Sequence, residues 1–246
     1  MTPPPDLEHS VIVVSPHFDD GVLSLGGLLY RLGRRATLVT VFGGAPVGAV
    51  DASDWDRRCG FDDPQSAVRT RQREDATACR LLGIGRLALS HPDNPYDPPD
   101  AELDHLTDFL TSHAARESTL LVCAGIGNED HARVRDAVVA VRTAADGPSI
   151  WLYADLPYAA SYRDWGTPGF TAGIREREKL LFDPLEARFR LSPEHWTELD
   201  AAQWQAKRDA VLAYASQLAP LGRTHGAFLS LPGPLGQELI WRLEPR

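Results

Sequence analysis

Within four positions, His17-Phe18-Asp19-Asp20, the chain carries an imidazole and two carboxylates. That donor set suits a divalent metal. In such a site His17 and one aspartate hold the ion, while the other aspartate, close but unligated, takes a proton from a water that the metal activates. Spacing alone does not say which aspartate does which. The competing reading is structural: Asp at a helix N-terminus commonly caps it. A metal site needs a third protein donor and an open position. His131, in Gly127-Asn128-Glu129-Asp130-His131, is the best third ligand, and Asp130 can orient an imidazole from behind, either here or at His17. His91 is the rival. It sits in Ser90-His91-Pro92-Asp93 and is read as a turn residue or, with Asp93 two positions on, as a substrate contact. His225, in Thr224-His225-Gly226, either polarises a carbonyl from across a cleft or lies on an exposed loop. Serine nucleophile chemistry has no G-x-S-x-G elbow to support it. No P-loop is present, and Gly125-Ile126-Gly127 lacks the third glycine of a dinucleotide fingerprint.

The elements that must carry these residues alternate along the chain. Residues 10–15 are short, apolar and β-branched, a buried strand. Residues 21–32 place Val22, Leu25, Leu28, Leu29 and Leu32 at helical spacing. Gly26-Gly27 inside that helix is costly and points to a close approach of helix to sheet or to a kink. Further strands are predicted at 36–42, 85–89, 119–123 and 149–154, and further helices at 65–82, 100–115 and about 131–144. Residues 45–64 read as a long loop, which in a compact domain is commonly functional, and 90–99 as a rigid, proline-rich one. The pattern predicts an α/β fold: a Rossmann-like, mostly parallel sheet with helices on both faces. His17–Asp20 and His131 then both follow strands, at the carboxyl edge where open α/β sheets bind ligands. After residue 154 the alternation breaks. Residues 155–182 carry few regular signals. Leu185, Ala187, Phe189 and Leu191 alternate as a half-exposed strand. Asp200 with Gln203 resembles a capping box opening a helix to Leu218, and 239–243 is a last strand. We read residues 1–246 as one domain, with a core of about 10–155 and a C-terminal appendage of about 156–246 closing over the site.

Composition bounds the function. The 246 residues are 43% hydrophobic and 24% charged, ordinary for a soluble globular protein. A net charge of -9 argues against non-specific nucleic-acid binding. Cys59, Cys79 and Cys123 form no C-x-x-C pair, so a cysteine zinc site is disfavoured, and their sparse, odd count fits a reducing compartment. The first nine residues have no basic n-region or apolar h-region, and no run approaches a membrane span. A cytoplasmic protein with a small-molecule partner, no nucleic acid and no membrane insertion is expected.

With both loops in hand, the sequence resembles the PIG-L/LmbE-like deacetylases. The first motif of that family, His-Pro-Asp-Asp after a strand with Gly-Gly in the next helix, is similar to His17-Phe18-Asp19-Asp20 followed by Gly26-Gly27, with Phe18 in place of proline. The Pro-Asp-His motif is similar to Glu129-Asp130-His131, again without the proline, and Arg135 stands where a further histidine is often found. Arg71, Glu74 and Asp75 resemble an Arg-x-x-Glu-Asp helix; read from the residues alone they are either a solvated helix face or groups near the site. Tyr153 to Tyr158 resembles a Tyr-x-Asp-x-Pro-Tyr segment, and Lys207 to Gln217 a late Lys…Tyr-x-Ser-Gln helix. The resemblance implies that His17, Asp20 and His131 bind a divalent metal, normally zinc, and that Asp19 is the general base. Two histidines and one aspartate also accept iron, cobalt or nickel. It further implies hydrolysis of an N-acetyl amide, usually on a glucosamine-type sugar. Arg71, His91, Asp93, Asp130, Tyr158 and His225 are the weaker candidates for substrate contact or support behind the ligands. Two alternatives stay open: a metal-dependent amidase acting on a non-sugar conjugate, and a catalytically silent binding module of the same fold.

Overall fold

In the computed structural model, residues 7, 9–98, 100–112, 115, 117–141, 149–226, 228–230 and 233–246 are described. The first strand, β1 (Val11–Ser15), is buried along its whole length. That fits its unbroken β-branched run, since a strand covered on both faces has no polar face to alternate with. It pairs in parallel with β2 (Ala36–Thr40) on one side and β4 (Thr119–Cys123) on the other. β3 (Gly85–Ala88) extends the sheet beyond β2, and β5 (Ile150–Tyr153) beyond β4, both in parallel. Two antiparallel strands, β7 (Gln237–Pro245) and β6 (Phe189–Glu198), complete the order β3-β2-β1-β4-β5-β7-β6. The chain therefore turns from one half of the sheet to the other between β1 and β4. That reversal opens a crevice at the carboxyl ends of these two strands.

Helix α1 (Asp20–Leu32) leaves β1 directly and is broken at Leu25, whose φ of −128° is not helical. Both readings of Gly26-Gly27 are present, and the close approach has two partners. A Cβ on Gly26 would lie 2.6 Å from Lys207 Cγ of another helix, and one on Gly27 would press on Leu199 and lie 3.3 Å from Glu238 of the sheet strand β7. The amides of Gly27 and Leu28, freed by the break, donate to the buried Glu238 carboxylate at 2.8 and 2.9 Å. Lys207 Nζ, fully buried, neutralises that carboxylate at 2.9 Å.

The loop predicted over 45–64 contains a short helix, α2 (Asp54–Arg58), whose Ser53 cap accepts from Asp56 N at 3.0 Å. At one and a half turns it is too short to show a period. α3 (Pro64–Leu82) begins at an Asp63 cap and stops at Gly83, in the left-handed region at φ +69°. α4 (Asp104–Thr111) is shorter than the predicted 100–115, of which residues 113 and 114 lie outside the described part. α5 (Glu129–Val141) follows β4, and the expected extension to 144 also lies outside. Residues 155–182 are more regular than expected, with α6 (Phe170–Arg177) and α7 (Lys179–Glu186). The strand expected from Leu185 starts only at Phe189, because Phe182 and Leu185 bury one face of α7 instead.

The Asp200–Gln203 capping box is formed, but the helix it opens ends as α8 (Ala201–Leu212), and a second, α9 (Ala215–His225), follows. Side chains of α3 hold the interruption. Tyr214 donates its hydroxyl to Asp75 at 2.9 Å, and Ser216 donates its N–H and Oγ–H to Glu74. Asp75 also pairs with Arg86 at 2.8 Å. Glu74 and Asp75 are therefore anchors between helices, not a solvated face. No helix among the described residues is long and apolar enough to cross a membrane.

Candidate metal centre and active cleft

The loop after β1 is braced before it does any chemistry. Ser15 Oγ–H donates to the carbonyl of His17 at 2.6 Å, and Ser15 Oγ accepts from Gly21 N at 2.9 Å. Asp19 occupies the N-cap position of α1 yet makes no side-chain capping bond. The capping reading of the Asp pair fails here, and the Asp19 carboxylate is left to line the cleft.

Asp20 is the focus. One oxygen, Oδ2, accepts from His17 N at 2.9 Å and lies 3.0 Å from His17 Nδ1 and 3.0 Å from His131 Nε2. Each imidazole has a carboxylate behind it. Asp130 Oδ2 is 3.3 Å from His17 Nε2, and Asp155 Oδ1 is 2.7 Å from His131 Nδ1. Asp155 is itself fixed by the N–H groups of Gly125 and Ile126. Gly125 turns at φ +90°, where an added Cβ would also press on Ala132 Cα at 2.9 Å. Arg135, in place of the further histidine, is buried and donates to the Ala124 carbonyl at 2.8 Å, so it braces the same turn.

This donor set fits a cation. With Nδ1–H engaged by Asp155, Nε2 of the neutral His131 ring presents a lone pair toward a carboxylate oxygen. That nitrogen is buried and has no hydrogen-bond partner, although Asp20 Oδ2 is 3.0 Å away. Lone pair against lone pair is repulsive unless a proton or a metal lies between them. The three donors His17, Asp20 and His131 converge with ligand atoms within 4.8 Å of one another. Carboxylate–histidine–metal relays have this form.

The electrostatics follow from the same contacts. Burial pushes the imidazole of His131 down, but Asp20 and Asp155 outweigh it and raise its pKa to about 9. His17 is likewise raised well above its usual value, against burial, by Asp130 and Asp20. Burial would raise Asp20, yet His131 and His17 hold it well below the carboxylate range. Asp19 goes the other way: burial, then the charge of Asp20, push it up to about 7. Adjacent carboxylates with pKa values driven apart are the pattern of a site that assigns one to hold charge and one to move a proton.

A cleft of about 280 Å³ opens over these groups. Asp93, Asn94, Arg71, Asn128 and Tyr158 line its polar walls; Phe18, Leu23, Trp55, Val68 and Leu221 line its apolar ones. Arg71 is held by Asp56 at 2.6 Å. Tyr158 packs edge-on against His131, 5.3 Å between ring centres, and its hydroxyl oxygen accepts from Asn128 at 3.3 Å. The C-terminal third thus supplies Tyr158, Gln217 and Leu221 to the cleft, and β6 and β7 to the sheet. Three expected residues fall outside the lining: His131, which is wholly buried beneath it, and two others. His91 turns away and stacks on His105 at 4.9 Å. His225 sits behind Tyr158, 5.3 Å between rings, because α9 ends there. Asp155, which the sequence offers only as the aspartate of the Tyr-x-Asp-x-Pro-Tyr resemblance and not as a site candidate, joins the site through His131. Its signal is a carboxylate just past the end of a wholly apolar strand, at the same sheet edge as the two histidines.

A Rossmann-like sheet with a His-Asp-His cluster that could hold a metal ion at its switch point defines a class of α/β proteins that bind ligands at the carboxyl edge of the sheet. The chain belongs to the PIG-L family: the family model described as GlcNAc-PI de-N-acetylase matches residues 12–142. Two relatives are named 2'-N-acetylparomamine deacetylase. The one from Streptomyces fradiae is 31% identical over 168 residues, covering 60% of this chain and 57% of its own length. The one from Niallia circulans is 26% identical across 95% of this chain and 90% of its own. A solved structure, the zinc-inhibited form of teicoplanin deacetylase Orf2, shares the fold at a TM-score of 0.73 and 22% identity, covering 96% of this chain and 98% of that one.

Proposed function

We propose that the protein is a metal-dependent N-deacetylase that hydrolyses the acetamide of an N-acetylated amino sugar within a glycoside metabolite. The observation that carries this is the convergence of His17 Nδ1, Asp20 Oδ2 and His131 Nε2, with Asp19 beside them and a cleft above. His17, Asp20 and His131 hold a divalent ion, zinc or a metal of similar preference. When bound, it supplies Lewis-acid polarisation of the amide and a lowered water pKa. Asp19, ionised, takes the proton of the attacking water; protonated, it returns that proton to the leaving amine. Asp130 and Asp155 fix which ring nitrogen faces inward. Tyr158, kept neutral as burial drives its pKa upward, points a hydroxyl donor toward the acyl oxygen. Arg71 and Asp93, both in the cleft lining, contact sugar hydroxyls as a donor fork and an acceptor. The sugar-linked antibiotic compounds named for the relatives support a small glycoside as substrate.

The test is hydrolysis of N-acetylglucosamine conjugates by protein reconstituted with zinc, iron or cobalt, set against acyl-amino-acid conjugates. Acetate release that chelation abolishes is expected from the sugars. Release only from the amino-acid conjugates would favour the non-sugar amidase, and no release from either would favour the silent module.

A further inference from the structure

Helix α1 is two pieces joined at Leu25. The first, residues 20–24, is a little over one turn, with a proposed ligand at one end and Ser24 at the other. Positions four apart share a helix face, so Ser24 stands one turn behind Asp20. Ser24 is buried, and both of its oxygens reach beyond its own helix. Its carbonyl would take Leu28 N in an unbroken helix. Leu28 N goes to Glu238 instead, and the carbonyl accepts from Lys207 Nζ at 3.4 Å. Its Oγ accepts from Leu156 N at 3.0 Å, 132 positions away. Leu156 follows Asp155, the carboxylate 2.7 Å from His131 Nδ1. The carbonyl of Asp155 accepts from Ala159 N at 2.7 Å, closing the turn that packs Tyr158 against the His131 ring. One hydroxyl oxygen therefore joins the helix of Asp20 to the turn that aims His131 and places Tyr158. Leu156 is itself buried, so removing that oxygen would strand a buried N–H.

We propose that Ser24 is a positioning residue of the site: by holding the Leu156 amide it sets the turn 155–159, and with it the His131 ring, at the distance from Asp20 that an ion bridges. The inference rests on the metal-centre reading of His17, Asp20 and His131 and deepens it. Asp20 and His131 ride on different helices, α1 and α5, and such constellations tolerate errors of only about 0.5 Å. Neither Ser24 nor Leu156 belongs to the ligand set or to the cleft lining; the effect passes through Asp155. Linkage makes the relation reciprocal. If the Ser24–Leu156 bond favours the ion, the ion favours the bond by the same factor.

The probe is zinc, its affinity measured on the full chain by competition with a chromophoric chelator. Four proteins are compared: wild type, Ser24→Ala, Asp155→Asn and the double variant. Ser24→Ala should weaken zinc binding by about fivefold or more. In the Asp155→Asn background the same change should add less than twofold, because the route through Asp155 is already cut. Tyr214→Phe removes a buried hydroxyl bond of the same kind, the one to Asp75. It should lower the melting temperature and leave zinc affinity within twofold. Native-state amide exchange reads the reverse direction with no substitution at all. In the wild type, zinc should slow exchange of the Leu156 amide by the factor that Ser24→Ala costs in affinity. The Ala154 amide, which bonds to Leu239 on the neighbouring strand, should gain less. Unchanged affinity in Ser24→Ala, losses that multiply in the double variant, or equal protection of both amides would overturn the role. A wild type that binds zinc and shows this coupling, yet releases acetate from no N-acetyl sugar, would sink the deacetylase reading alone. A wild type that binds no zinc would overturn both.

Discussion

Asp19 and Asp20 are neighbours in sequence with opposite fates. Asp20 is pinned by two imidazoles, and Asp19 is buried next to its charge without a partner of its own. Asp19→Asn should lower kcat by about 10²–10⁴ and leave metal content unchanged. Loss of the ion instead would mean that the two roles are exchanged. The acid limb of kcat/KM should lie at or below pH 7, the value to which burial raises Asp19, because a bound dication favours the carboxylate. Activity rises with pH through that limb, and Asp19→Asn should flatten it. Behind the ligands, Asp155→Asn should weaken metal affinity about 10–100-fold, measured by competition with a chromophoric chelator. With His131 raised to about 9 in the metal-free protein, the ion must displace a proton below that pH. Apparent affinity should therefore fall as pH falls, and calorimetry in buffers of different ionisation heat should register proton release.

Elements show where the sequence was legible. The strands of the parallel core are readable because long apolar runs leave little choice, and the helix of 65–82 because an apolar side ends in a glycine stop at Gly83. What was lost depended on distant partners. The break between α8 and α9 is imposed by Asp75 and Glu74 of α3, and no local signal near Tyr214 announces it. The kink of α1 is visible in sequence only as two glycines; its cause is Glu238 on the last strand. His17 and His131, the proposed ligand histidines, stand out in the sequence because each follows a strand. Asp155 does too, but the Tyr-x-Asp-x-Pro-Tyr resemblance that contains it assigns it no partner, and His91 has the same sheet-edge placement without facing the cleft. Two substitutions probe the α1–α8 contact. Gly26→Ala should cost about 1–3 kcal/mol, the usual range for overpacking. Lys207→Met, which strands the buried Glu238, should cost about 3–5 kcal/mol. Urea melts measure both.

Across the whole molecule, the C-terminal third is bound to the core through the sheet and through the packing of α8 on α1. Urea unfolding is accordingly expected to give coincident transitions by tryptophan fluorescence and by far-ultraviolet circular dichroism. Two separated transitions would assign residues 156–246 to an independent unit. A metal held only by the native state should raise the melting temperature, with about 2.7 kcal/mol gained at a hundredfold excess over Kd.

The bonds from Gly27 and Leu28 to Glu238 cross 211 and 210 positions of chain. During synthesis the first helix, which starts at a proposed ligand, must wait for β7, the last strand among the described residues, before its interrupted turn is satisfied. Nascent chains stalled on the ribosome before that glutamate emerges should hold the motif without holding an ion. Competence to bind metal would then arrive late and nearly all at once.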